Sequence, residues 1–367
     1  MKVVCMISSL RLGGAERQLL GLAAALQRQG HEVEVLTYRR ADFYADAAAE
    51  MGLRLTLLEK KGSLLSWAHR TAVHLREGSC DVLIAFLPGA CMKACLVHHL
   101  SPTFRLVVSE RNFSIRLRLT DRFRLWLFHK EADRVVCNNF SQDALIRRKY
   151  PALSERLTVI PNFVEVERFV PQERVRLREE GSAPDGAVAR IVVTARVASR
   201  KNAHGLIRAA ALLRGRGYDF VIDWYGLESR DSYYWRCVRQ IGRYGLAGLF
   251  RFHPAVSDVE QVYAAADWFC LPSFYEGTSN SLAEALSSGK PVVCSAVSDN
   301  PRYVREDVNG FLFDPRRPAS IADALEKAIT LDGGGQKAFG AASRETAEHH
   351  LSPQRFARAY GELLRSL

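Results

Sequence analysis

The stretch Trp268-Phe269-Cys270-Leu271-Pro272-Ser273-Phe274-Tyr275-Glu276-Gly277-Thr278-Ser279-Asn280-Ser281-Leu282-Ala283-Glu284 opens on four apolar residues, crosses a polar, glycine-bearing turn and enters a helix pattern ending at Ser288-Gly289. A short apolar run bounded by turn residues reads as a buried strand. Strand, turn and helix in that order are the repeating unit of a parallel sheet covered by helices. Outward from it the unit recurs. Apolar runs at Ile191-Val192-Val193, Phe220-Val221-Ile222 and Val292-Val293-Cys294 alternate with helix patterns such as Leu206 to Arg214. An earlier set runs through Val3 to Ile7, Ala15 to Gln29, Val33 to Leu36, Val82 to Phe86 and Leu106 to Val108. The reading is α/β with two Rossmann-like domains, as a chain of 367 residues suggests, since single cores stop growing below that length.

The boundary is expected in Pro161 to Ala189, where prolines, the charge run Glu173 to Glu180 and the breaker stretch Gly181-Ser182-Ala183-Pro184-Asp185-Gly186 follow one another. This divides the chain into a domain over 1–170, a linker over 171–188 and a domain over 189–351. The tail, 352–367, spaces Phe356, Ala359, Tyr360, Leu363 and Leu364 as an amphipathic helix that can pack back on the first domain.

Composition narrows the function. Hydrophobic residues are 48% and charged residues 25%, a balance that excludes disordered and fibrous classes. Eight scattered cysteines, several inside apolar runs, read as reduced core residues and point to the cytoplasm. Cys91 and Cys95 beside His98 and His99 match no usual zinc spacing, so no metal is expected. The apolar stretch Val82 to Val97 is too short for a membrane span and carries Pro88, Gly89 and Lys93. The net charge of +11, concentrated in residues 1–180, suits an anionic partner or is simply a basic surface. Nucleic acid is not the expected one, because no recognised binding motif or stacking-aromatic cluster accompanies the charge.

Three segments carry candidate chemistry. Ser8-Ser9-Leu10-Arg11-Leu12-Gly13-Gly14-Ala15-Glu16 joins a strand to a helix whose free N–H groups favour an anion, or it is simply a tight turn. Thr194-Ala195-Arg196-Val197-Ala198-Ser199-Arg200-Lys201-Asn202 places cations beyond a strand's carboxyl end, where open α/β sheets bind ligands. Arg forks phosphate oxygens and Lys adds a point charge, a pair able to hold a diphosphate leaving group without a metal, or the loop is simply a solvated basic surface. In Glu276 to Glu284, backbone N–H groups from Gly277, Thr278, Ser279 and Asn280 suit a phosphate, and a carboxylate suits vicinal ribose hydroxyls. Ser281-x-x-Glu284 is equally a capping box.

Glu276 and Glu284 have the E-x7-E spacing of retaining glycosyltransferases. Together with Gly13-Gly14-Ala15-Glu16-Arg17, Val159-Ile160-Pro161-Asn162-Phe163, Arg196 with Lys201, Ala264-Ala265-Ala266-Asp267, Glu284-Ala285-Leu286, Gly289-Lys290-Pro291-Val292-Val293 and Asn309-Gly310-Phe311, the chain resembles glycosyltransferase family 4. The resemblance implies the GT-B fold, two Rossmann-like domains facing each other across a cleft. It implies a hexosyltransferase that needs no cofactor or metal and uses a nucleotide-sugar donor, with retention of anomeric configuration and front-face attack. Arg196 and Lys201 would contact the donor diphosphate, Glu276 the transferred sugar, Gly277 to Ser279 the phosphates and Glu284 the ribose. Gly13 and Gly14 would face the reaction centre. Asn280 is similar to relatives using UDP-linked hexoses or N-acetylhexosamines. Where many relatives carry a histidine, this chain has Ser109-Glu110-Arg111-Asn112, so Glu110, Arg111 or Asn112 stands as its replacement, with a structural Glu110–Arg111 ion pair as the alternative.

The stretch from Arg111 to Lys130 adds Arg116, Arg118, Arg122 and Arg124 to Phe123, Trp126, Leu127 and Phe128. Helical spacing gathers Ile115, Leu119, Phe123, Trp126 and Leu127 on one side, either to dock on the core or to lie in an anionic membrane interface. The second option suggests a saccharide acceptor that is lipid-linked, met at the inner membrane face during cell-surface glycan assembly. A nucleotide-sugar epimerase of the same fold is the competing enzyme class.

Overall fold

The computed structural model describes residues 1–111, 119–172 and 188–367. These fall into two compact units: unit 1 is Met1–Phe163 with Pro353–Leu367, and unit 2 is Val164–Ser352.

Unit 1 carries seven described strands: β1 Lys2–Ile7, β2 Glu32–Thr37, β3 Arg54–Leu57, β4 Val82–Phe86, β5 Arg105–Glu110, β6 Arg134–Cys137 and β7 Leu157–Val159. They lie in the order β3-β2-β1-β4-β5-β6-β7, every pairing parallel. Its helices are α1 Gly14–Arg28, α2 Ala45–Glu50, α3 Leu64–Glu77, α4 Pro88–Leu100, α5 Leu119–Glu131, α6 Phe140–Lys149 and, from the end of the chain, α14 Pro353–Arg365. Strand side chains alternate between two cores. Val4 and Met6 pack with α3, α4 and α5, whereas Val3, Cys5 and Ile7 pack with α1 and α14.

Unit 2 repeats the plan with β8 Ala189–Thr194, β9 Phe220–Leu227, β10 Phe250–Pro254, β11 Trp268–Leu271, β12 Val292–Ser295 and β13 Gly310–Phe313. The order is β10-β9-β8-β11-β12-β13, again parallel throughout. Between the strands run α7 Ala203–Gly215, α8 Ser232–Arg243, α9 Val259–Ala264, α10 Asn280–Ser287, α11 Asn300–Tyr303, α12 Pro318–Thr330 and α13 Gly333–Leu351. Ile191 and Val193 face α7, α8 and α12, while Val192 faces α9, α10 and α13.

The passage between units comes earlier than position 170. Phe163 belongs to the core of unit 1, but Val164, Val166 and Phe169 are buried in unit 2, so the chain crosses after Phe163. Most of the expected linker, residues 173–187, lies outside the described residues. The tail helix α14 packs on unit 1, with Phe356 against Phe163 at a ring separation of 4.9 Å. All eight cysteines are free and buried. Among the described residues no helix is long and apolar enough to cross a membrane.

Candidate active site

In each unit the strand order reverses beside the first strand, between β1 and β4 and between β8 and β11. Outside the carboxyl ends of such strands open sheets leave a crevice. In unit 2 that position gathers the two loops singled out from the sequence. Asn202 joins them: its backbone is left-handed at φ 61°, its Oδ1 accepts from the Gly205 N–H to cap α7, and its Nδ2 donates to the carbonyls of Pro272 at 3.1 Å and Pro315 at 2.8 Å. The Phe274 N–H donates to the Arg200 carbonyl at 2.9 Å. Held in this way, Lys201 Nζ donates to Glu276 Oε1, and the Arg200 guanidinium stands 3.9 Å from the other carboxylate oxygen.

Glu276 and Lys201 are only 5% and 8% exposed, so neither keeps a full hydration shell. Burial lowers the Lys201 pKa, and the Glu276 carboxylate opposes that shift. Ser273 Oγ also donates to Glu276, whose own N–H donates to Ser298 Oγ at 3.1 Å. A carboxylate fixed by several donors presents its remaining lone pairs in set directions.

Arg196 behaves differently. Its side chain is mostly exposed and sits 3.2 Å from Glu228, not against the Lys201–Glu276 pair. The backbone beneath it is tightly built. Trp224 Nε1 donates to the Ala195 carbonyl at 2.6 Å, and at Gly226, φ 125°, a Cβ would stand 2.4 Å from that same oxygen. Trp224 and Gly226 thus position the Arg196 loop, a role hidden in the sequence because only the fold brings β9 against Ala195.

The capping-box reading of Ser281 and Glu284 is overturned. Ser279, not Ser281, is the N-cap of α10, its Oγ accepting from the Leu282 N–H at 3.4 Å. Glu284 lies a full turn inside the helix, where Oε2 accepts from Tyr263 Oη at 3.0 Å. Tyr263 Oη lies 2.7 Å from Thr194 Oγ1 at the end of β8. Tyr263 orients Glu284 and was missed from the sequence, where it is one apolar position of a short helix. Gly277, Thr278 and Ser279 form the turn between the two carboxylates and Asn280 opens α10, with Thr278 and Ser279 buried.

Unit 1 holds the remaining candidates. Gly13 is the N-cap of α1, and the Glu16 carboxylate lies over it, near enough that a Cβ on Gly13 would meet Glu16 Oε2 at 2.2 Å. The helix N-terminus expected to face an anion therefore already faces one. Gly14 is exposed at the first position of the helix.

Glu110 is fully buried at the end of β5, and burial raises its pKa against the pull of Arg124. Arg124 Nη2 donates to Glu110 Oε2 at 3.1 Å, Nε stands 3.0 Å from Oε1 without hydrogen-bond alignment, and Nη1 reaches Asp121 at 3.0 Å. Glu110 is thus an internal partner of α5, buried and held by Arg124. The alternative Glu110–Arg111 pair fails. Arg111 is 8% exposed, lies 3.8 Å over the Phe86 ring and donates to Ser109, Asn162 and Tyr360 at 3.1, 2.7 and 3.0 Å. Its guanidinium is taken up in clamping α14 to the sheet.

Asn112, Arg116 and Arg118 lie outside the described residues. Arg122 and Trp126 are exposed on α5, and Phe123 stacks on Trp126 at 5.7 Å. The side of α5 that docks on the core is instead Asp121, Arg124, Leu125 and Phe128.

Two parallel-sheet units, with a lysine–carboxylate pair and a second oriented carboxylate at the switch point of one of them, have the two-Rossmann-domain architecture of GT-B enzymes. The model of the glycosyl transferases group 1 matches residues 178–346, and that of Glycosyltransferase Family 4 matches residues 12–168. The chain belongs to this family and is a glycosyltransferase. It is 27% identical, across 96% of both chains, to the lipopolysaccharide core biosynthesis glycosyltransferase LpsE of Rhizobium meliloti. It is 32% identical to a D-inositol 3-phosphate glycosyltransferase of Actinosynnema mirum, but over 55% of this chain and only half of that protein's length. The crystal structure of Anabaena HepE in complex with UDP superposes over the whole of both chains with a TM-score of 0.85 at 19% identity.

Proposed function

We propose that the enzyme is a retaining, metal-independent hexosyltransferase that takes its sugar from a UDP-linked hexose or N-acetylhexosamine and passes it to a saccharide acceptor in cell-surface glycan assembly. The observation that carries this reading is the pinning of the Arg196–Lys201 loop to the Glu276–Glu284 loop through Asn202. Lys201 and Arg196 would bind the diphosphate and stabilise its charge as the glycosidic bond to it breaks. Glu276 would accept hydrogen bonds from hydroxyls of the transferred sugar, and Glu284, turned by Tyr263, from the ribose. With Glu110 and Arg111 taken up by internal contacts, the acceptor's proton would pass to the departing phosphate oxygen as the new bond forms on the same face. UDP in the HepE complex and the lipopolysaccharide role of LpsE support a uridine donor and a glycan product.

Binding and slow hydrolysis of UDP-, GDP- and ADP-sugars in EDTA, in wild type and in Glu284→Ala and Arg196→Ala, test the reading. Tight binding of one UDP-sugar in EDTA, weakened at least about tenfold in both variants, is expected. Undiminished binding in the variants would move the donor site elsewhere.

The acceptor is proposed to be lipid-linked. Leu119, Phe123 and Trp126 are 84%, 53% and 46% exposed on α5 beside exposed Arg122, an apolar and basic face suited to an anionic membrane interface. Retention on phosphatidylglycerol vesicles at low salt is expected, and a protein that stays in the supernatant argues for a soluble acceptor.

A further inference from the structure

Unit 2 has a second concave site. A groove of about 680 Å³ lies between α7, α8 and the turn before α12, within the usual size range of small-ligand sites. Arg208 reaches it from α7, Arg236, Arg239 and Arg243 from α8, and Arg316 from the turn after β13. No carboxylate is among the described residues that line it. Elsewhere on this face arginines are neutralised: Arg216, just past the end of α7, is held by Asp323 and Glu326 of α12. Five guanidinium groups around one groove repel each other unless an anion sits among them.

None of Arg196, Lys201, Glu276 and Glu284 lines the groove, so it is separate from the proposed donor site. Its chemistry is also distinct. Tyr244 and Phe274 bring aromatic surface to a wall that presents guanidinium forks, beside His204, whose ring meets Gln240. Aromatic faces pack against the C–H faces of sugar rings, and forked donors match the oxygens of phosphate monoesters. The spread of arginines along α8, at positions 236, 239 and 243, follows one helix face and spans more than a single phosphate requires.

From this geometry we infer that the groove is a second ligand site, taking a soluble saccharide that carries two or more phosphate groups. The inference does not depend on the donor reading. Phe274 and Asn202 line the groove and also hold the Lys201 and Glu276 loops together, so an occupant would touch the supports of the switch-point site.

Calorimetric titration of the full chain with glucose 1,6-bisphosphate, in saturating UDP and at low salt, tests the site. Binding of one equivalent is expected, weakening as salt rises. Affinity should fall at least about tenfold in Arg236→Gln/Arg239→Gln and in Arg243→Gln, and stay unchanged in Glu284→Ala. The substituted arginines are exposed, and unchanged thermal melting of the variants establishes that the fold is intact. Absence of binding, equal affinity in the arginine variants, or loss in Glu284→Ala overturns the inference. So does retention on phosphatidylglycerol vesicles that requires these arginines while free bisphosphate fails to bind, since the groove would then read a membrane surface.

Discussion

At the scale of single residues, the Lys201–Glu276 pair sets the stakes of the site. Both groups are buried, and removing one partner of such a pair leaves an uncompensated charge. Lys201→Ala is expected to lose roughly 3 kcal/mol of unfolding free energy in urea, together with donor turnover. The double variant Lys201→Ala/Glu276→Gln should recover most of that stability and none of the turnover, because the amide no longer carries a charge to strand. Recovery of both would reduce the pair to a structural role. The two residues stand out in the sequence as members of polar loops after strands, yet their contact does not: 75 positions separate them. Tyr263 and Asn202 escaped notice for the same reason, since each acts through partners brought up from distant strands.

Elements show a second layer of charge. Asp223 on β9 is fully buried and meets Arg190 from β8 at 3.1 Å, and Arg251 and His253 from β10, each at 2.8 Å. Burial alone would raise its pKa, but hydrogen bonds from His253 and Arg251 and the charges of Arg251 and Arg190 prevail and hold it below the usual 3.8. A carboxyl depressed in the folded state contributes stability above its unfolded pKa and loses it as pH falls through the folded value. The unfolding free energy is therefore expected to decline as pH drops below about 4. In Asp223→Asn that part of the acid slope should vanish, with a loss of roughly 3 kcal/mol at neutral pH. An unchanged slope would assign acid sensitivity to other carboxylates.

The α5 helix teaches a related lesson. Its aromatic side read as fit for core or for membrane, and the structure divides it: Phe123 and Trp126 turn outward and Leu127 packs on the core, while Arg124 reaches buried Glu110 and Phe128 joins the core with α4. Phe123→Ser/Trp126→Ser should leave unfolding free energy within about 0.5 kcal/mol, where buried aromatics would cost roughly 3 to 5. The same variant should lose its hold on anionic vesicles. A large loss of stability would return these rings to the core.

Across the whole molecule, the chain passes from unit 1 to unit 2 after Phe163 and returns for α14. The return is secured by packing of Phe356, Tyr360, Leu363 and Leu364 and by Arg111, which donates to Tyr360. Ending the chain at Ser352 strips four large side chains from the core of unit 1 and leaves Arg111 short of a partner, which is expected to cost several kcal/mol, on the order of 2 or more per buried side chain. Hydrogen exchange should then rise in β1 and α1, while β8 to β13 remain protected. Uniform loss of protection would mean that the two units unfold together.

Two rounds of strand and helix, their parallel arrangement and the strand-to-helix turns carrying Arg196, Lys201, Glu276 and Glu284 were set by the sequence alone, because periodicity and turn chemistry are written within a dozen neighbouring residues. Which partner each charge takes was decided only by tertiary structure. Glu110 chose Arg124 over its neighbour Arg111, Glu284 chose Tyr263 over the backbone of Ser281, and five arginines from α7, α8 and the turn after β13 met around one groove. The energy of a charge depends on its burial and on what surrounds it in space, and neither exists until distant elements have packed.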